Sequence, residues 1–291
     1  MNLFNKIFFN RKILIYGMGK TGISSYNFLK KKNQTYFYDD NKIFFKNKKI
    51  KKIFVNLNKI DKIKFDYIVI SPGIDINKCK LKNYLKKNLE KIITDLDIFY
   101  TNYSKNKIIA ITGTNGKSTT AKLLNLILNN HKYDSRLCGN IGNPVLFEKN
   151  ISSETIFVIE VSSYQIEYSK MFKSNYAIIL NISPDHLERH GSIKNYVNAK
   201  FKLIKNQGDK DFAFLNTRNK FLKKEIKKNK IFSKIINVNL KKFKNLRKKI
   251  NNPYFLTLGN QENLSFIFAL SIQLKLKNKK IIKTVNEFEG L

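Results

Sequence analysis

Residues 108–120 read IIAITGTNGKSTT. An apolar run, Ile108 to Ile111, passes through Thr112 into Gly113-Thr114-Asn115-Gly116-Lys117-Ser118-Thr119, and AKLLNLIL follows closely behind. A buried strand, a glycine turn and Lys-Ser at a helix start make a phosphate cradle. The helix N-terminus presents unpaired N–H groups and the positive end of its dipole to an anion. Lys117 reaches the outer phosphates of a nucleoside triphosphate, and a hydroxyl from Ser118 or Thr119 can ligate Mg²⁺. The loop departs from the general G-x-x-x-x-G-K-[ST] spacing, because Ile111 stands at the first glycine position. The compact G-T-N-G-K-S form is more restricted than the general loop, so an ordinary glycine turn is the weaker reading.

The flanking sequence alternates apolar runs with polar helical stretches. After the loop, residues 155–161, 176–182, 212–216 and 235–239 predict strands, and 117–130, 192–206 and 261–276 predict helices. Before it, KILIY (12–16), TYFY (35–38), KIFVNL (52–57), YIVIS (67–71) and KIIT (91–94) predict strands, with helices over 21–32 and 79–88. Such alternation implies an α/β fold with mainly parallel sheets and helices on their faces. A second glycine loop, YGMGKTG (16–22), places Gly17, Gly19 and Gly22 in the dinucleotide pattern, with Asp39 and Asp40 about twenty residues on. Alone, that pattern is compatible with a nicotinamide or flavin enzyme. Ser71-Pro72-Gly73 is a turn directly after a strand, the end at which open α/β sheets bind ligands. The sequence divides into a Rossmann-like domain over 1–98 and a phosphate-loop domain over 99–291.

The 291 residues suffice for two domains, each with its own core. The formal charge is +35, from 56 basic against 21 acidic residues, yet only five of the basic residues are Arg. The excess is Lys, accompanied by Asn, Ile, Phe and Tyr and spread along the chain. An A+T-rich coding sequence gives this pattern, so the charge reads as solvated surface, not as a nucleic-acid footprint, although it would steer an anionic substrate inward. Cys79 and Cys138 are too few and too far apart for a disulfide framework or a zinc site. No apolar run reaches the length of a membrane span, and no signal peptide is visible. A cytoplasmic monomer with no membrane or nucleic-acid partner is expected.

The phosphate loop resembles that of the Mur ligases and folylpolyglutamate synthetases, ATP-dependent enzymes that join an amino acid to a carboxylate. CGNIGNPV (138–145), VIEVSSYQIE (158–167), NISPDHLERHGSIKNYVNAKFKLI (181–204) and SPGI (71–74) are similar to segments of the Mur ligases that add D-glutamate to UDP-N-acetylmuramoyl-L-alanine. The resemblance spans nearly the whole chain. It implies a Rossmann-like domain that binds the UDP end of the substrate instead of NAD, followed by a central ATP-binding domain. ATP would lie on Gly113, Thr114, Asn115, Gly116, Lys117, Ser118 and Thr119, with Asn263 nearby. Lys20, Thr21, Asp39, Asp40 and Gly73 would bind the UDP end of the substrate, and Asn140, Ser162, Ser163 and Gln165 would position substrate or the metal shell. Two Mg²⁺ ions are implied, held by Ser118, Glu160, His186 and Lys200.

By composition Lys200 is one more solvated lysine. The resemblance implies instead that it is carbamylated, which requires a neutral amine and hence a partly buried site with a lowered pKa. Lys117, His186 and Lys200 are then the catalytic set, while His190 and His131 read as ordinary polar residues. Two departures stand out: Asn41 follows the acidic pair where some members carry Arg, and Asn263 lacks the His that is commoner beside it. The implied reaction forms an acyl phosphate from the alanyl carboxylate and ATP, which the amine of D-glutamate then attacks, in peptidoglycan precursor synthesis. Another Mur-type ligase, a non-catalytic nucleotide-sugar binder and an NAD-dependent oxidoreductase are the competing readings. The family continues beyond NEFEGL (286–291) into a third, C-terminal domain. The 291 residues are therefore expected to bind substrates but to ligate poorly unless a separate C-terminal domain acts with them.

Overall fold

Ile13, Leu14 and Ile15 are fully buried because their strand, β1 (Lys12–Tyr16), lies inside a parallel sheet. Burial on both faces explains an uninterrupted apolar run where a half-exposed strand would alternate. The computed structural model describes residues 3–41 and 53–291. Packing divides them into two units. The first runs to Ser104 and takes in Pro144–Phe147 and Tyr164–Phe172. The second holds Lys105–Asn143, Glu148–Ser163 and Lys173–Leu291.

In the first unit β1 pairs with β2 (Gln34–Tyr38) and β3 (Tyr67–Ile70), and β3 pairs with β4 (Ile92–Ile93). The order is β2-β1-β3-β4 and every pairing is parallel. Helix α1 (Lys20–Leu29) leads from the glycine loop toward β2. The strand expected over 52–57 does not form among the described residues, from which Lys52 falls outside. Phe54 makes a single parallel bridge to Phe37, and a helical turn follows at Leu57–Ile60. The helix expected over 79–88 forms over Lys82–Lys87, and a further helix, α2 (Asp95–Tyr103), occupies a stretch for which the sequence predicts no element.

The second unit has six parallel strands in the order β10-β9-β8-β5-β7-β6. They are β5 (Lys107–Thr112), β6 (Ser135–Gly139), β7 (Ile156–Glu160), β8 (Tyr176–Ile179), β9 (Phe212–Leu215) and β10 (Lys234–Asn237). Its longer helices are α3 (Lys117–Asn130), α4 (Ile193–Lys205), α5 (Lys220–Lys228), α6 (Leu258–Gln273) and α7 (Asn278–Asn286). The sequence reading had no strand at β6 and no helix at α5 or α7. SRLCG lacks a strand's apolar pattern and is held by pairing with β7. Helix α7 forms because Ile281 and Val285, one turn apart, are both fully buried. Asn130 at the end of α3 donates to the Thr284 hydroxyl (2.9 Å). Among the described residues no helix is long and apolar enough to cross a membrane.

One carboxylate pins the returning segment of the first unit. Asp97 is fully buried near the start of α2. Its Oδ1 accepts from the Ser169 hydroxyl (2.8 Å) and from the N–H groups of Lys170 (2.8 Å), Met171 (2.7 Å) and Phe172 (3.2 Å). Its Oδ2 accepts from the Thr94 N–H (2.9 Å), the return half of a capping box. Removing this acceptor strands several buried donors, each costing about 1–3 kcal/mol. Asp97→Ala should therefore lower the unfolding free energy by about 3 kcal/mol or more in urea titrations. Burial, with the Asp97 charge beside it, raises Asp95 to about 7. The native state then keeps a proton that the unfolded chain releases near pH ~4. Stability should fall as pH rises from about 4 to about 7, and Asp95→Asn should flatten that slope.

Candidate nucleotide and metal site

Strand β5 lies between β7 and β8, where the strand order reverses. Ligands of open α/β sheets bind outside the carboxyl ends of the strands at such a point. Three features meet there: the glycine loop after β5, Glu160 at the end of β7, and Asn181 just beyond β8.

The loop turns into α3 at Gly116, whose φ of +80° is left-handed. A Cβ at this position would collide with the Asn263 carboxamide, whose Cγ would lie 2.7 Å away. Asn263, on α6, is buried and lies against the loop. Ser118 donates its hydroxyl to Glu160 Oε2 (2.8 Å), while the Asn140 side-chain NH₂ donates to Oε1 (3.0 Å) and its backbone N–H to the Glu160 carbonyl (3.0 Å). Glu160 is only 1% exposed, so these partners hold a buried carboxylate in place. Gly139, at φ +107°, leaves room for the Glu160 carbonyl, which a Cβ would strike. The two hydroxyls that the sequence could not separate now differ: Ser118 faces Glu160, and Thr119 pairs with the Tyr254 hydroxyl (3.1 Å). Lys117 folds back, donating to the Thr114 carbonyl (2.8 Å).

Lys200 is not a solvated lysine. It is 2% exposed on the inner face of α4, donates to the Gly113 carbonyl (2.8 Å) and the Thr112 hydroxyl (3.4 Å), and sits 4.6 Å from the centre of the Tyr196 ring. Burial, with the Lys117 charge, lowers its pKa to about 7 against the opposing pull of Asp185 and Glu160. His186 has left-handed backbone (φ +52°) and a half-exposed ring, with Nε2 3.4 Å from Asp185 Oδ2 and Nδ1 3.9 Å from Glu188 Oε1. Among the described residues no three His, Cys, Asp or Glu side chains gather in a metal-binding group, so His186 and Glu160 do not form a ready-made cluster.

His190 corrects the sequence reading. It is buried, its Nε2 lies 3.0 Å from the Ser163 hydroxyl, and its ring packs edge-on to Tyr196 with centroids 5.4 Å apart. Burial, then the charges of Arg189, Lys200 and His186, lower its pKa to about 4, so its imidazole is neutral near pH 7. Tyr196 and Asn181 were also missed. Both lie within the quoted 181–204 stretch, but only the fold brings the Tyr196 hydroxyl to Thr114 Oγ1 (3.1 Å). His131 caps α3: its Nδ1 lies 2.7 Å from the Ile127 carbonyl, and its Nε2 accepts from the Lys277 N–H.

In the first unit, a Cβ at Gly17 (φ +96°) would sit 2.8 Å from Ser71 Cβ, and the Ser71 hydroxyl donates to the Gly17 carbonyl (2.9 Å). Asp39 accepts from the Met18 N–H (2.6 Å) and the Asn41 N–H (2.8 Å), closing the glycine loop. Asp40 accepts from the Lys80 N–H (3.2 Å). Space around Gly19 and Gly73 is open, and Lys20 at the start of α1 is exposed. Gln165 is buried and belongs to this unit, whereas Ser162 and Ser163 belong to the second.

Residues 111–287 match the family model of the Mur ligase middle domain, and residues 11–93 match that of the MurD-like N-terminal domain of Mur ligases. A UDP-N-acetylmuramoylalanine–D-glutamate ligase from Rickettsia prowazekii is 34% identical across the whole of this chain and 68% of its own length. One of the same name from Caldicellulosiruptor saccharolyticus is 37% identical, over 72% of this chain and 49% of its own. The chain thus spans about two thirds or less of these relatives. Among solved structures, the UDP-N-acetylmuramate:L-alanyl-gamma-D-glutamyl-meso-diaminopimelate ligase from Neisseria meningitides shares the fold at a TM-score of 0.63 and 13% identity, over 97% of this chain and 99% of that one. The UDP-N-acetylmuramate-alanine ligase from Thermotoga maritima shares it at 0.53 and 19%, over 97% of this chain and 69% of that one.

The fit of Asn263 against Gly116 makes a measurable demand. Gly116→Ala combines a left-handed backbone with a steric collision and should cost about 2 kcal/mol or more. Removing the obstacle with Asn263→Ala in the same chain should recover part of that loss. Additive losses in thermal or urea unfolding would show that the two residues do not interact.

Proposed function

The chain belongs to the Mur ligase family, and on that premise we propose that it supplies the UDP-sugar and ATP sites for the cytoplasmic, ATP-dependent joining of D-glutamate to UDP-N-acetylmuramoyl-L-alanine in peptidoglycan precursor synthesis. In this reading the first unit, which runs to Ser104 where the sequence predicts a boundary after residue 98, forms the domain for the uridine nucleotide, with Lys20, Thr21, Asp39, Asp40 and Gly73 near it. The second unit forms the ATP domain. The observation that carries the proposal is the buried Glu160 carboxylate, fixed by Ser118 and Asn140 at the mouth of a phosphate loop.

The residues present suit Mg²⁺, which prefers a few hard oxygen ligands and leaves the rest of its shell to water and phosphate. Glu160 Oε2 and the Ser118 hydroxyl, 2.8 Å apart, supply such a pair. His186 and a carbamylated Lys200 would serve a second ion, and the Lys200 pKa of about 7 leaves much of its amine neutral for capture of CO₂. Bound Mg²⁺ would offset charge on the phosphoryl oxygens. Lys117 would leave the Thr114 carbonyl to meet the outer phosphates. A cavity of about 280 Å³, lined in part by Asn216, Arg218, Asn239, Glu262 and Phe266, would take the base. The alanyl carboxylate attacks the γ-phosphorus and ADP departs; the amine of D-glutamate then attacks the acyl phosphate carbonyl and phosphate departs. Positioning two reactants in this way lowers a barrier by several kcal/mol.

Calorimetry with a Mg²⁺-bound non-hydrolysable ATP analogue, UDP-N-acetylmuramoyl-L-alanine and NAD should give binding to the first two and none to the third. Micromolar NAD affinity without any response to the UDP-sugar would favour an oxidoreductase. After equilibration with ¹³C-bicarbonate, the chain should show a carbamate carbon resonance that Lys200→Ala abolishes. Retention of that resonance in the variant would place the modification elsewhere.

A further inference from the structure

We propose that Asn181 is the positioning residue of the phosphate loop, and that its carboxamide leaves the anion cradle to the N–H groups of Gly116 through Thr119. This rests on the reading of that loop as the nucleotide site. Asn181 stands two residues past the end of β8, where the chain still runs beside the loop: the Leu180 N–H donates to the Thr112 carbonyl (3.0 Å), and the Ser183 N–H donates to the Thr114 hydroxyl (3.1 Å). From there one side chain grips both polar sides of the turn. Its Oδ1 accepts from the N–H groups of Thr114 (3.1 Å) and Asn115 (2.8 Å), and its NH₂ donates to the Asn115 carbonyl (3.0 Å).

Two of the loop's donors are therefore turned away from an incoming anion. Thr114 has a second acceptor in the Asn181 backbone carbonyl (3.0 Å), whereas the Asn115 N–H depends on the carboxamide among the described residues. Among the donors that remain for a phosphate are the four at the helix start, which have no intrahelical acceptor. Bracing matters because Asn115 is the exposed middle of a turn that ends in the left-handed Gly116. Without the brace that turn must be ordered by the ligand, and the ordering cost is subtracted from affinity. The carboxamide suits this place because it carries an acceptor and a donor at once; a carboxylate or an apolar group offers at most half of the pattern.

Amide exchange and nucleotide binding test the assignment in parallel. In the nucleotide-free chain, Asn181→Ala should speed exchange of the Asn115 amide by about 10-fold or more while the Val161 amide, bonded to the Ile111 carbonyl, keeps its rate. The same variant should bind the Mg²⁺-bound ATP analogue about 10-fold or more weakly, with affinity for UDP unchanged. Asn181→Asp covers the case in which the alanine variant does not fold. At neutral pH it keeps the acceptor and sets a carboxylate against the Asn115 carbonyl. As the carboxyl protonates it regains a donor, so its nucleotide affinity relative to the parent should climb as pH falls below about 5. Unchanged Asn115 exchange in both variants, or unchanged nucleotide affinity in both, would overturn the assignment. A parent chain that binds no Mg²⁺-nucleotide would overturn the functional reading instead, and the exchange rates would still decide the brace.

Discussion

A carboxylate buried at the end of a strand has to be satisfied by hydrogen bonds, and Glu160 is satisfied from two directions. Ser118, on the first turn of α3, and Asn140, beyond β6, each donate to one of its oxygens. An unpaired charge at that depth would be strongly destabilising. The same two bonds therefore fix the start of α3 and the turn after β6 around one point. Gly139 and Gly116 follow from this arrangement, since each sits where a Cβ would strike a neighbour, the Glu160 carbonyl in one case and Asn263 in the other.

Beside the same loop lies a buried amine. Lys200 is kept near the Gly113 carbonyl by the packing of α4, and burial lowers its affinity for a proton. A buried acid and a buried amine thus flank a turn whose own donors face outward at the helix start. The two groups lie on separate elements, β7 and α4, so the sheet and helix packing sets their relation. His190 packs edge-on to Tyr196 of α4 and is bonded to Ser163. The neutral imidazole adds no further positive charge beside Lys200.

The first unit solves a different problem with the same chemistry. Its sheet is small, and residues Tyr164–Phe172 return to it after β7. Asp97 gathers three consecutive backbone N–H groups of that return, the Ser169 hydroxyl and the Thr94 N–H. A carboxylate with that many donors is well stabilised, whereas Asp95 beside it lacks such support and is pushed toward its neutral form.

Much of this was legible in the order of residues. Apolar runs such as Ile13–Ile15 and Ile108–Ile111 specify buried parallel strands, because a strand covered on both faces has no need of alternation. Gly113-Thr-Asn-Gly116-Lys117-Ser118 specifies a strand-to-helix phosphate loop, because the turn, the charge and the hydroxyl are all local. What remained hidden depends on partners far apart in the chain. Strand β6 is held by β7, and helix α7 by α3; neither SRLCG nor the Lys-rich 278–286 stretch declares itself alone. Lys200 is one of many lysines until α4 buries it, His190 is an ordinary histidine until Tyr196 and Ser163 surround it, and Asn181 is a strand-end asparagine until the loop arrives beside it. Local spacing fixes which backbone conformations are available, whereas burial and pKa depend on neighbours that only the tertiary structure brings within a few ångströms.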